Sequence, residues 1–393
     1  MDLFEKCRKE SNDDKMTKMG IYPYFRPLSS RPAPEVIMEG KRRIMLGSNN
    51  YLGLTEHPDI VEAGIKAVEK YGTGCSGSRL LNGTLDMHLE LEAELARFLH
   101  KDGAVTFSTG FQSNLGIIGC IVGHGDYVIS DKENHASIYD ACRLSYGTML
   151  RYRHSDMQDL EAQLQKVPEE SGCLIVTDGI FSMSGEICKL PEICALAKKY
   201  NARVMVDDAH ALGVLGVGGR GTASHFGLED QVDLIMGTFS KSLASLGGYV
   251  VGSAEAIKYI RHESRPFIFS ASIPPANCAV ALAALRHLEG HPELVQQLSG
   301  ISHYARQAFR RSGLTIMKSS TPIIPIYTYE TINTIVKAHF VYENGVYVNP
   351  VLPPACPEGE GLLRTSIMAT LTKPLIDEAA EILADVILNE DYA

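Results

Sequence analysis

A chain of 393 residues exceeds what one small core accommodates, so one larger and one smaller domain are expected. Its 45% hydrophobic and 21% charged content is that of a globular protein in water, and a net charge of −10 excludes general nucleic-acid binding, which needs a basic footprint. No segment approaches the roughly 20 apolar residues of a membrane span. The charged stretch Met1–Met19 lacks the apolar centre of a secretory signal. Nine cysteines without a Cys-x-x-Cys pair indicate free thiols in a reducing cytoplasm, with no disulfide framework and no metal site.

Residues 1–45 are polar and mixed and read as an N-terminal arm with an edge strand, Pro23 and Pro27 bracketing Tyr24-Phe25-Arg26. Pro58 opens a helix whose apolar positions Ile60, Val61, Gly64, Ile65 and Val68 follow helical spacing, and a second helix carries Leu91, Leu95, Phe98 and Leu99. Short apolar runs then alternate with helical stretches, at 104–107, 127–130, 174–177, 203–206, 234–236 and 249–251. Unbroken runs of this kind suit strands covered on both faces. Ser155 with Gln158 reads as a capping box, and Pro191 opens a further helix. The alternation predicts an α/β domain on a mainly parallel sheet over residues 46–285, with ligands outside the carboxyl ends of the strands. Residues 286–393 are more polar and helix-rich, interrupted by runs at 323–327, 346–348 and 362–367, and predict a smaller α+β domain.

The chemistry gathers at the strand ends. Lys241 lies in Gly237-Thr238-Phe239-Ser240-Lys241-Ser242, closely followed by Gly247-Gly248. A lysine is ordinarily a solvated surface charge. Here glycines let a ring approach, Thr238 and Ser240 offer hydroxyls and N–H groups to a phosphate, and desolvation would make the amine nucleophilic. Asp207 ends the run Val204-Met205-Val206, where an acid is often only a cap, but paired with such a lysine it suits the pyridine nitrogen of pyridoxal phosphate (PLP). Asp208 points to the other face of its strand, and His210 in the next turn is within reach of the ring hydroxyl. His135, after the strand at 127–130, is placed to stack on an aromatic cofactor, and the Thr109-Gly110-Phe111 turn before a helical stretch offers N–H groups to an anion. Arg364, on a strand of the smaller domain, has the geometry of a carboxylate clamp.

Two patterns are set aside. Ser240-Lys241-Ser242 lacks the glycines of a nucleotide P-loop. Gly216-Val217-Gly218-Gly219-Arg220-Gly221 matches G-x-G-x-x-G but does not join a strand to a helix, and it reads as a flexible surface loop.

Taken together, Ser48-Asn49-Asn50-Tyr51-Leu52-Gly53, Gly77–Thr84, Asn134-His135-Ala136-Ser137, Phe181–Gly185, Asp207-Asp208-Ala209-His210 and Thr238–Lys241 resemble the α-oxoamine synthase family of fold-type I PLP enzymes, over nearly the whole chain. The resemblance implies that Lys241 holds PLP covalently and is catalytic together with His135, which stacks on the ring. Asp207 pairs with the ring nitrogen, and His210 and Ser182 approach the ring hydroxyl. Gly110, Phe111, Thr238 and Ser240 bind the phosphate, and Ser270 reaches the phosphate in the partner subunit of a homodimer. Asn50, His135 and Arg364 hold the amino-acid substrate. The segments Tyr347–Ala355, Tyr22–Arg26 and Ser242–Gly248 look most like the bacterial members that condense L-serine with a long-chain acyl-CoA. Ala355 stands where the members using alanine and pimeloyl-CoA carry a threonine, which counts against that activity; glycine with acetyl-CoA is the other sister reaction. A silent scaffold subunit of the same fold is the alternative of another class, opposed by the presence of Lys241, Asp207 and His135 together. No basic amphipathic helix stands out, so membrane association is at most peripheral.

Overall fold

The computed structural model describes residues 2–389 and 392. Its centre is a seven-stranded sheet, six of whose strands are the apolar runs. The strands are β3 (Gly103–Phe107), β4 (Tyr127–Asp131), β5 (Thr148–Tyr152), β6 (Cys173–Asp178), β7 (Arg203–Asp207), β8 (Leu234–Thr238) and β9 (Gly248–Gly252), in the spatial order β3-β9-β8-β7-β6-β4-β5. Four neighbouring pairs, from β5 to β8, are parallel, and β9 runs antiparallel to both β3 and β8. Alternate residues feed opposite cores. Ile175, Val204 and Val206 pack with Leu91, Leu95, Phe239 and Tyr249 on one face. Leu174, Val176 and Met205 pack with Ile117, Ile138 and Val250 on the other. With both faces covered, the central strands contain no alternation of polar and apolar residues, as expected.

Two three-stranded sheets complete the fold. β1 (Glu35–Met38) and β2 (Lys41–Met45) form a hairpin to which β11 (Val346–Tyr347) adds in parallel. β10 (Ile323–Tyr329), β13 (Gly361–Ser366) and β12 (Asn349–Val351) form an antiparallel sheet. A third core joins the two, with Val36 and Ile44 packed among Phe309, Ile326, Leu363 and Leu383. Among the described residues no helix is long and apolar enough to cross a membrane.

Three sequence expectations are corrected. β5 carries no unbroken apolar run and was not expected. It is an edge strand bonded only to β4, so one face suffices to hold it. The helix Met157–Leu164 is capped by Asp156, whose side chain accepts from the Asp159 N–H at 3.0 Å. Ser155 is instead drawn away, its hydroxyl donating to Glu186 at 2.8 Å. The glycine-rich segment 216–221 is a pinned turn, not a flexible loop. Gly213 N–H donates to the Gly219 carbonyl at 2.7 Å, and the buried Asp208 accepts from Thr222 N–H and Oγ1 at 2.9 and 2.6 Å. Gly221, at φ +90°, lies so close that an added Cβ would stand 2.1 Å from an Asp208 carboxylate oxygen.

Candidate active site

Parallel register brings the carboxyl ends of β4, β6, β7 and β8 to one edge of the sheet. Asp178 pairs across from Asp207, and Asp207 from Met236. The antiparallel β9 presents its first residue there, Gly248 lying opposite both Thr238 and Phe107. Glycine at 248 has a clear reason: a Cβ would meet Gly110 Cα at 2.8 Å, so only glycine lets the helix Gly110–Ile121 bring its N-terminus onto this edge. A cleft of about 260 Å³ results, lined by Lys241, Asp207, His135 and His210, by the helix start at Gly110 and Phe111, and by Thr238 and Ser240.

Lys241 sits on the turn between β8 and β9. The turn is anchored by Phe239, which is fully buried and stacked on Tyr249 with ring centroids 5.7 Å apart, and by Phe239 N–H donating to Gly247 at 3.0 Å. Such a ring pair is worth roughly 0.5–1.5 kcal/mol beyond its area burial. Burial pushes the Lys241 amine down to about 8, against the pull of Asp207 and Asp178 toward the charged form. The free amine therefore becomes abundant as pH rises through about 8. Cofactor-free protein should capture PLP with a rate that climbs from pH 6.5 and levels off above that value, followed by growth of visible absorbance. A midpoint at the ordinary lysine value of 10.5 would contradict this setting.

Opposite Lys241, Asp207 is fixed by two donors, Asn114 Nδ2 at 2.8 Å and the Ala209 N–H at 2.9 Å. Asn114 also donates to Ser137 Oγ at 2.9 Å, which leaves the serine proton for His135 Nδ1 at 2.7 Å. Burial lowers the His135 pKa more than Asp207 raises it. The ring is thus neutral with its proton on Nε2. The backbone N–H of His135 donates to Asp178 Oδ2 at 2.9 Å. Asp178 is itself driven well above the carboxylate range, first by burial and then by Asp207.

A second chain of bonds approaches from the smaller sheet. Arg364 on β13 donates from Nε to the Ser182 carbonyl at 2.5 Å, from Nη1 to Ser366 at 2.7 Å and from Nη2 to Asn49 Oδ1 at 3.0 Å. Tyr51 Oη, 3.4 Å from the same Asn49 oxygen, bonds His210 Nδ1 at 2.6 Å. His210 is held neutral by burial and by the nearby Lys241 and Arg364 charges. The turn bearing Ser182 is clamped from behind by His154, which bonds Asp131 at 2.9 Å and Glu186 at 3.4 Å and meets the Phe181 ring edge-on. Burial opposes its charge, but these carboxylates push the pKa up to about 10.

Of the residues singled out in the sequence, Lys241, His135, Asp207, His210, Gly110, Phe111, Thr238 and Ser240 all line the cleft. Arg364 and Ser182 stand beside it, joined to each other. Ser270 lies outside the lining and accepts from Gln112 at 3.2 Å. Asn50 is turned away, donating to Thr55 at 2.8 Å, and its neighbour Asn49 makes the contact with Arg364. Sequence reasoning missed Asn114, Ser137 and Asp178. Asp178 had a usable signal, an acid closing an apolar run as Asp207 does.

An amine of lowered pKa, a fixed acid facing it and a glycine-lined helix N-terminus with two hydroxyls suit a phosphorylated pyridine aldehyde. The comparisons with known proteins agree. The chain matches the family Aminotransferase class I and II over residues 41–383. It is 51% identical over 368 residues to the serine palmitoyltransferase of Sphingobacterium spiritivorum, covering 94% of this chain and 92% of that one. It is 43% identical over 370 residues to 8-amino-7-oxononanoate synthase 1 of Bacillus velezensis, covering 94% and 95%. Among solved structures, a variant of the serine palmitoyltransferase of S. paucimobilis with a bound PLP–myriocin aldimine superposes with a TM-score of 0.95 at 36% identity, covering 98% of each chain.

Proposed function

The chain belongs to the aminotransferase class I and II family, and within it to the α-oxoamine synthases, and from that premise we propose that it condenses L-serine with a long-chain acyl-CoA. It is a PLP-dependent acyltransferase with the fold-type I architecture. A bond forms between serine Cα and the acyl carbonyl carbon, and the thioester C–S bond breaks to release coenzyme A. The carboxylate leaves as carbon dioxide, giving 3-ketodihydrosphinganine. The carrying observation is the meeting of Lys241, Asp207 and His135 in one cleft at the carboxyl ends of the strands.

PLP, when bound, supplies an electron sink conjugated to the amino-acid Cα. Lys241 Nζ would anchor it, and as a free amine would move the Cα proton. Asp207 keeps the ring nitrogen protonated. His135 would stack on the ring, and its Nε2–H, left free by the bonds at Nδ1, would be available to the substrate carboxylate. His210 and Ser182 serve the ring hydroxyl, and Gly110, Phe111, Thr238 and Ser240 the phosphate. Arg364 holds the serine carboxylate with the two of its five N–H groups not used by Ser182, Ser366 and Asn49. Asn49 steadies Arg364 by accepting from its Nη2, and Asn50 donates to Thr55 in the same loop.

We infer that the enzyme is a cytoplasmic homodimer. Its free thiols favour a reducing compartment. Leu80, Leu81, Leu89 and Ile65 are 57%, 78%, 49% and 50% exposed, apolar side chains that a second copy would cover, and Ser270 would reach the other cofactor's phosphate. The test is a product assay with labelled serine. Ketone and carbon dioxide should appear with palmitoyl-CoA, and not from alanine with pimeloyl-CoA or glycine with acetyl-CoA. Product from either of those pairs alone would overturn the assignment.

A further inference from the structure

Residues 181–186 form a turn shortly after β6, and three separate parts of the chain hold it. The turn closes on itself through Phe181 N–H to the Glu186 carbonyl and Gly185 N–H to the Phe181 carbonyl, both at 2.9 Å. From the segment before β10, Thr321 and Ser319 donate their hydroxyls to the Gly185 carbonyl at 3.0 and 3.2 Å. Gly185 has φ +70°, and an added Cβ would stand 2.8 Å from Ser319 Oγ, Thr321 Oγ1 and the Ile323 carbonyl, so this approach requires glycine. From β13, Arg364 Nε donates to the Ser182 carbonyl at 2.5 Å. The third support is His154, just beyond the edge strand β5. Its Nδ1 faces the buried Asp131 at 2.9 Å, and its Nε2 lies 3.4 Å from Glu186 and 3.5 Å from Glu133. Both ring nitrogens meet carboxylates, so the ring carries a proton on each. Burial opposes that charge, yet Asp131, Glu186 and Glu133 carry the pKa up to about 10. Glu186 is in turn held below the usual carboxylate range, first by His154.

We propose that His154 is a positioning residue for substrate recognition: its ion pair with Glu186 fixes the turn so that the Ser182 carbonyl aims the Arg364 guanidinium at the amino-acid carboxylate. The role rests on the carboxylate clamp assigned to Arg364 above. Ser182, Ser366 and Asn49 each take one N–H from a different nitrogen of Arg364, which leaves one N–H on each Nη. Those two form the fork that meets a carboxylate, and its direction depends on the third nitrogen, Nε, whose single N–H goes to Ser182. Of the three acceptors, only the Ser182 carbonyl belongs to the turn, and it moves when the turn moves. A neutral residue at 154 leaves Asp131, Glu133 and Glu186 gathered without their countercharge. Glu186, whose side chain is 42% exposed, then swings toward water and draws the turn with it. A carboxylate bound bidentately tolerates little rotation of its arginine.

The test uses the holoenzyme and two probes of its visible spectrum. One is the equilibrium titration with L-serine. The other is the rate of cofactor capture by methoxyamine, an amine nucleophile without a carboxylate. His154→Gln should weaken serine binding about tenfold, the scale of one misdirected charge-assisted hydrogen bond, and leave the methoxyamine rate within about twofold. Turnover should divide the same way, KM for serine rising while kcat stays within about threefold. Glu186→Ala removes the other half of the ion pair at a partly exposed position that folding does not depend on, and should reproduce the selective loss. The double variant should lose no more than about twofold beyond the larger single change, since the two residues act as a unit. Serine binding unmoved in both single variants, or a parallel change with methoxyamine, overturns the positioning role and leaves the reaction standing. Arg364→Lys that keeps wild-type serine affinity overturns the clamp and the positioning role with it. A wild type whose spectrum does not respond to serine sinks the assigned reaction as well.

Discussion

Lys241→Ala should lower turnover by at least about 10³-fold, since one substitution removes both the cofactor's covalent anchor and the base that moves the serine Cα proton. The fold has little reason to suffer. The turn is held through backbone groups, Ala244 N–H donating to the Lys241 carbonyl at 3.2 Å and Ser245 N–H to Phe239 at 2.9 Å. Removing a buried amine also removes the desolvation that depresses its pKa. Three measurements separate chemistry from collapse: the circular dichroism spectrum, the melting temperature and reductive trapping with borohydride. The first two should stay near wild type. The third should attach cofactor to the peptide containing residue 241 in the wild type and to no peptide in the variant. Turnover within tenfold of wild type would remove the foundation of the proposed mechanism.

The strand ends were readable in advance because parallel sheets concentrate chemistry there. An apolar run closed by Asp207, and another closed by Thr238 and leading into Lys241, are local signals that need no knowledge of partners. Asn114 gives no such signal. It lies on the helix Gly110–Ile121 and acts by reaching across to Asp207 and Ser137, a geometry set only when that helix docks on β9. That Asn49 and not Asn50 bonds Arg364 is not legible for a related reason: in an irregular turn, neither helical nor strand periodicity says which side chain faces inward. β5 was invisible because an edge strand covered on one side can be built from Thr148-Met149-Leu150-Arg151-Tyr152, a mixture no run-based reading separates from loop. The cleft between the helix Asn12–Lys18 and the segment 350–358 assembles residues more than three hundred positions apart, so its walls exist only in the folded molecule.

Asp207→Asn should cut kcat by about 10²–10³-fold, the usual scale for losing one preorganised electrostatic contact to developing charge. The substitution keeps the shape of the side chain. Its amide would face Asn114 Nδ2, which now donates at 2.8 Å, donor against donor. Asn114 Oδ1 is buried without a partner, so rotating the Asn114 amide offers an acceptor there and exchanges its donation to Ser137 for the bond restored. Charge, not packing, is then what the variant loses, and the loss has a second signature of opposite sense. Asp207 favours the charged form of Lys241, so its neutralisation should move the amine further below about 8. Cofactor capture at neutral pH should become faster while turnover falls. The same change relieves the repulsion that lifts Asp178, the second of the two causes acting on that carboxyl. Opposite movements of capture rate and kcat are what a lost charge produces; a parallel fall in both, with a lowered melting temperature, would show that Asp207 acts through the fold and not on the ring nitrogen.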